Sequence, residues 1–594
     1  MRGALVLAVF VLGVLGFNPG MAFQTPTADD ALNEILNDER IFHYGENPGT
    51  GPRNKKRPLA RSMRRESQAD QDRRISAIKS FLDRLRQLDE AALSPENQLN
   101  QQMAIFSLEG QLLLLEHRAW RLPLHSDSGF HTSPARMWRG VSFQNKQDYE
   151  AYIERLSDLP RYFGEHKANL RVGMSEGFTM PKVVLDGLLP TFRAQIVDGP
   201  VDSSLYTPFL EMAETVGSED QEQLRARAQQ VIANQVMPAF KSLATFMENE
   251  YYPAGRDNIS ASSVPGGAAY YDAMVRYYTT LDISADEVHQ IGLKEVARIR
   301  REMETIIKES KFEGSFEEFL VFLRTDPQFY AESEKQLLMT ASFIAKNIDG
   351  RLPKLFGKLP RQPYGIEAVP ASIAPNYTTG RYIRAPLDAP RGGYYWVNSF
   401  ALKTRPLYNL PALTLHEAMP GHHLQIALAA ELEHIPEFRS QVYPHAFGEG
   451  WGLYSEKLGL EMGIYQTPYE HFGRLSYEMW RASRLVIDTG IHSKGWTRAQ
   501  AIALLEENSA LSKHNIRTEV DRYIAWPGQA LAYKMGELKI LELRQRATTA
   551  LGSAFDVRAF HDRVLSAGGI PLYLLEARID AWIAEQQQVK AASR

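Results

Sequence analysis

The sequence predicts a mostly α-helical protein, a large multi-helix fold with a small β-sheet beside the helix that carries His416. Three observations predict it. Apolar residues recur at helical spacing over most of the 594 residues. Between Gly350 and Phe400 that rhythm breaks into dense prolines and extended, aromatic runs. Helical spacing resumes after Pro411 and holds to the C-terminal end.

Residues 1–22 read as a secretory signal peptide. One arginine precedes an apolar run from Ala4 to Phe17, and the breaker pair Pro19–Gly20 precedes Ala22. The run is shorter than the roughly 20 residues a membrane span needs. No later segment is long and apolar enough to cross, and no cysteine follows to carry a lipid. The expected product is exported, periplasmic or extracellular, with no stable membrane association. Residues 23–75 form a polar segment whose basic cluster, Arg53–Arg65, reads as solvated surface because no aromatic residues interleave it.

Residues 76–260 read as a helical N-terminal subdomain, with "ISAIKSFLDRLRQL" and "MAIFSLEGQLLLLEHRAW" at its start and the turn signals "SDLP", "DGLLP" and "DGPVDSS" further on. Residues 261–590 form the second, site-bearing subdomain of what reads as one continuous domain over about 30–590. Its clearest helix opens on a capping box, Ser284 with Glu287. Val288, Val296, Ile299, Met303 and Ile306 line one face of it. "RYIRAP" and "GGYYWVNSF" then read as the strands. The second could hold a substrate by main-chain pairing with help from Asn398, while Tyr394, Tyr395 and Trp396 form core or cleft wall.

Composition narrows the chemistry. A hydrophobic content of 44% supports a large core, and a formal net charge of −4 gives no field that favours nucleic acid. There is no cysteine, so disulfides and thiolate metal sites are excluded and any metal must sit on His, Asp or Glu. "LHEAMPGHHLQ" offers such ligands. A helix presents two metal ligands when they lie one turn apart, and a glutamate directly after the first can act as general base toward a water. Here His416 is followed by Glu417, but the position one turn on is Pro420. In a straight helix His422 would point about 240° away from His416, and His423 would share its face about 10.5 Å along the axis. Pro420 and Gly421 permit a distortion that brings a later histidine under His416. Glu449, in "HAFGEGWGLYSEKLG", follows at the remove where helical zinc peptidases take a third ligand, and Gly448 and Gly450 are expected to give the metal room. Glu456 is the reserve ligand. Spacing alone leaves His422 and His423 both open.

"HEAMPGHHLQ", "GEGWGLYSEKLG", "RLVIDTGIHSKGWT" and "EVDRYIAWPGQALAYKMG" together resemble the bacterial domain-of-unknown-function family 885, predicted zinc metallopeptidases with an HExxPGHxxQ motif. The position after the motif's second histidine varies in that pattern, so the resemblance favours His422 over His423. More distantly, the order of motifs is similar to helical gluzincin-type metallopeptidases of the converting-enzyme and carboxypeptidase Taq kind. That likeness implies a mostly helical gluzincin-like fold, with Arg522–Tyr523 as the Arg-Tyr pair whose tyrosine steadies an oxyanion and Tyr533 as its rival. Asp488 and His492, one helical turn apart, could orient a ligand histidine and donate to substrate. Arg481 and Arg484 read as bridges between helices.

The expectation is an exported hydrolase, a zinc metallopeptidase with one zinc per chain on His416, His422 and Glu449. Glu417 is its base and short peptides are its substrates. The alternatives are an amidase acting on cell-wall peptides and a non-catalytic, metal-dependent peptide-binding protein.

Overall fold

The structure, a computed structural model, describes residues 27–592 apart from 49–58, 127, 140, 372, 388 and 434. The signal-peptide reading therefore lies outside the described residues, as does much of the basic cluster. What is described is mostly helical with one small sheet, as expected.

Local signals start the helices. Ser284 caps Ala285–Glu309, its hydroxyl accepting from the Glu287 amide while the Glu287 carboxylate reaches back to the Ser284 amide. Val288, Ile299, Met303 and Ile306 are buried, and Val296 is partly buried. That face packs along the Asp488 helix, Pro468–Lys494, which is buried continuously from Phe472 to His492. A helix covered on every side is the pillar around which the others assemble.

The sheet has three strands, β1 (Tyr364–Ala368), β2 (Gly380–Ile383) and β3 (Gly393–Val397), in the order β1-β3-β2. β3 runs parallel to β1 and antiparallel to β2. Both edges of β3 are thus occupied, so the expected substrate pairing along "GGYYWVNSF" is not available; β2 is an edge strand instead. Its Tyr382 amide donates to Glu417 at 2.8 Å, which puts the sheet directly beside the His416 helix.

Two apolar clusters meet at that helix, Leu410–Glu417. Ala412, Leu413 and the following Ala418 belong to one, which also takes in Leu185, Phe192 and Phe240 from the N-terminal half. Leu415, Met419 and Leu424 belong to the other, with Trp451, Phe560 and Leu575. The largest cluster therefore draws on both sides of residue 260.

Candidate metal centre

The helix carrying His416 does not bulge at the Pro-Gly pair; it ends. It stops at Glu417, the Met419–Pro420 peptide is cis, and a new helix starts at His422 and runs to Ala430. Gly421 allows the junction. A Cβ there would lie 1.9 Å from the His416 carbonyl oxygen and 2.4 Å from that of Leu415. The Trp451 indole nitrogen fixes the turn from the other side, donating to the Pro420 carbonyl at 2.8 Å. The outcome is that the rings of His416 and His422 lie 4.8 Å apart, centroid to centroid, and nearly perpendicular at 87°.

Glu449 closes the group from the helix His445–Glu461. Its Oε2 is 3.7 Å from His416 Nε2 and 3.5 Å from His422 Nε2. Donor atoms from all three residues lie within 4.8 Å of one another. Donors about 2.0–2.2 Å from a tetrahedral zinc stand roughly 3.3–3.6 Å from each other, so the 3.5 and 3.7 Å separations are close to what one divalent cation needs, and a three-donor set leaves its fourth position free. Charge points the same way. Burial opposes a positive imidazole, but hydrogen bonding to Glu449 and Glu456 outweighs it and raises the His416 pKa to about 10. Burial likewise opposes a negative Glu449, yet the two histidines hold its carboxyl well below the usual range. A bound cation would balance the same negative charge that the proton on His416 balances here.

Glu456 is not a ligand in this arrangement. Its Oε1 accepts from His416 Nδ1 at 2.8 Å, which leaves Nε2 bare toward Glu449. Arg481 lies 3.4 Å behind the same oxygen. Glu456 thus takes the orienting role considered for Asp488. Asp488 instead accepts from the Tyr271 hydroxyl at 2.7 Å and the Gly528 amide at 3.0 Å, tying two segments to its helix. His423 turns to the sheet, where Nδ1 meets the Tyr382 hydroxyl at 2.9 Å; burial lowers its pKa to about 4. His492 cannot reach a substrate, because its Nδ1 accepts from the Ala261 amide and its Nε2 donates to the Tyr523 carbonyl, both at 2.9 Å.

Most of the other expected residues are also spoken for. Asn398 donates to the carbonyls of Ala374, Tyr377 and Thr378 and accepts from the Phe400 amide, so it stitches a loop rather than facing a cleft. Tyr523 is fully buried; its hydroxyl accepts from Trp480 and Arg484 and gives its one proton to Glu519 at 2.8 Å. That corrects its assignment as oxyanion donor. Arg522 donates to Gln529 and, at 3.3 Å, to the Tyr533 hydroxyl. Arg484 bridges helices, as expected, through Glu519. The glycines around Glu449 serve packing more than the metal. Gly450 abuts the Gly536 backbone, where a Cβ would come within 2.5 Å, and Gly448 abuts the Tyr443 hydroxyl. The glycine that touches the centre is Gly452, whose Cβ would stand 2.7 Å from the His416 ring. Sequence reading passed over Gly452 and Tyr443; the third glycine of "GEGWG" was the available signal.

The family model for bacterial proteins of unknown function, DUF885, matches residues 50–579. The chain belongs to the DUF885 family. Among solved structures it is similar to the "putative lipoprotein" of Colwellia psychrerythraea, with a TM-score of 0.86 and 25% identity over 94% of this chain and 100% of that one. A "putative lipoprotein of unknown function" from Shewanella oneidensis shares the fold, with a TM-score of 0.72 and 16% identity over 92% of this chain and 99% of that one. No protein of curated function matches this DUF885 chain. Among its described residues no helix is long and apolar enough to cross a membrane.

Proposed function

We propose that the protein is an exported, zinc-dependent peptidase that hydrolyses short peptides, with one zinc on His416, His422 and Glu449. The observation that carries the reading is the placement of Glu417. It directly follows a ligand histidine, its charge is felt by that histidine, and it stands outside the three-donor set, held by the Tyr382 amide at 2.8 Å. A binding protein has no need of a carboxylate so placed; a hydrolase does.

A divalent ion held there supplies Lewis acidity that acidifies water and polarises a carbonyl. The protein's own part is proton traffic and orientation. Glu417 accepts a proton from the attacking water as the water oxygen adds to the peptide carbonyl carbon and the π pair moves onto the carbonyl oxygen. When that pair returns and the C–N bond breaks, Glu417 gives the proton to the departing nitrogen. Glu456, backed by Arg481, keeps the His416 tautomer constant throughout. β2, an edge strand next to Glu417, offers main-chain groups to an extended peptide. Export is supported by the apolar run from Ala4 to Phe17 and by the lipoprotein name that both similar structures carry.

The test combines metal content with turnover of a short-peptide library by the full chain. We expect about one zinc per chain. Glu417→Gln should keep zinc and melting temperature and lose about 10²–10⁴-fold in rate. Full activity in that variant would falsify the base role. A wild-type protein that holds zinc and cleaves nothing favours the peptide-binding alternative, and cleavage confined to cell-wall amides favours the amidase.

A further inference from the structure

Hydrolysis at this centre needs a hydrogen-bond donor for the oxyanion, and Tyr523 has no proton to spare. We infer that Tyr443 is that donor, a residue no sequence signal had marked. This role rests on the peptidase reading above.

Tyr443 lies just before the Glu449 helix, with its ring edge-on to His445 at 5.2 Å. Its hydroxyl faces Gly448, the residue before ligand Glu449. It comes so close that a Cβ on Gly448 would sit 2.2 Å from the oxygen. The absence of a side chain at Gly448 is therefore what lets the phenol reach the start of this helix. Burial pushes the Tyr443 pKa up, Glu449, Tyr533 and Glu417 push it the same way, and Arg381 of β2 opposes them. The hydroxyl is thus within electrostatic reach of the third metal donor, the general base and the edge strand, and in contact with the residue before Glu449. It makes no hydrogen bond among the described residues. As a residue Tyr443 is 39% exposed, against 1% for Tyr523 and 9% for Tyr533, although its hydroxyl end is turned inward, where burial pushes its pKa up.

These features separate it from Tyr523. A phenol that is buried and bonded, as Tyr523 is, costs the protein its partners when it moves. A phenol that has no hydrogen-bond partner among the described residues breaks none when it turns to a substrate oxygen. Its ring also lines a cavity of about 260 Å³ with Tyr277, Phe438 and Val442. A peptide carbonyl approached from the Glu417 side would point its oxygen to this hydroxyl as negative charge builds. Tyr443 donates a hydrogen bond and transfers no proton, so the atom balance of the hydrolysis is unchanged.

The test is Tyr443→Phe in the full zinc-loaded chain, with Tyr523→Phe alongside. The reaction is a peptide that the wild type cleaves, and the ligands are a phosphinic Ala-Ala dipeptide analogue and the Ala-Ala product, both titrated by calorimetry. For Tyr443→Phe we expect zinc and melting temperature retained, kcat down about 10²–10³-fold and KM within about threefold. The phosphinic analogue, whose anionic oxygen imitates the oxyanion, should lose at least about tenfold in affinity while the product loses little. Tyr523→Phe should lose stability and keep kcat. Turnover of Tyr443→Phe within about threefold of wild type would overturn the assignment. So would equal weakening of both ligands, or loss of zinc, because either marks a structural role. A wild type that cleaves nothing sinks the peptidase reading first, on the unmutated protein, and the catalytic role of Tyr443 with it.

Discussion

At the scale of single residues, the centre works by assigning each ring nitrogen a partner. His416 offers Nδ1 to Glu456 at 2.8 Å and presents Nε2 to Glu449 at 3.7 Å. One carboxylate thus fixes the tautomer and another shares the metal. Without metal, burial works against the imidazolium, but Glu449 and Glu456 overcome it and keep His416 protonated up to about pH 10. Metal binds only the neutral ring, so cation and proton compete for Nε2. The sign follows: between pH 7 and 9, zinc uptake should release about one proton per chain from His416, and apparent affinity should rise with pH until about 10. Calorimetry in buffers of different ionisation enthalpy measures the proton count; zero release at pH 7.5 contradicts the assignment of His416 as a ligand. Glu456→Gln should weaken zinc by about 10–100-fold without unfolding the chain, because it loosens the ring and leaves the three donors in place.

At the scale of elements, the centre is a meeting of three helix ends and one strand edge. A straight helix could not bring His416 and His422 to 4.8 Å, so the chain stops one helix and starts another across Met419–Gly421. The Glu449 helix must then approach closely, and Gly452 is where it passes the His416 ring. Gly452→Ala would drive a methyl into that ring at 2.7 Å, against a side chain locked by Glu456 on its other nitrogen. We expect this variant to cost ~1–3 kcal/mol in denaturant unfolding, the usual penalty of overpacking. We also expect it to lose zinc affinity out of proportion to that cost. A variant that is destabilised but binds zinc as wild type does would show that the imidazole has room to move.

At the scale of the whole molecule, the ion site hangs between two cores. Ala412, Leu413 and Ala418 lean on the cluster built with the N-terminal half, while Leu415, Met419 and Leu424 lean on the C-terminal one. Leu185, Phe192 and Phe240 share their cluster with Leu410, Leu413 and Ile524, so each side of residue 260 buries part of its apolar surface only against the other. Residues 27–260 and 261–592 produced as separate chains should each fail to unfold cooperatively, and mixing or co-expression should be needed to recover zinc binding. Circular dichroism melts of the two pieces check this; a sharp, independent transition in the second piece with zinc bound would refute it.

The candidate donors and their family were legible in the sequence because they are local patterns. The His-Glu pair, the Pro-Gly break, the later glutamate and the capping box at Ser284 each follow from residue type and spacing. So were the mostly helical build and the strands near β2 and β3, since burial of one face imposes a period on the chain. Roles that depend on where a side chain points across a long loop were not legible. Nothing in the spacing told that His423 would turn to Tyr382, that Glu456 would back His416, or that Asp488, His492 and Tyr523 would be consumed by Gly528, Ala261 and Glu519. Apart from Glu519, one helical turn from Tyr523, those partners lie tens to hundreds of residues away, and a hydrogen bond is decided by distance in space. Periodicity along the chain settles which face of a helix is buried; only the packing of one helix on another settles what that buried face touches.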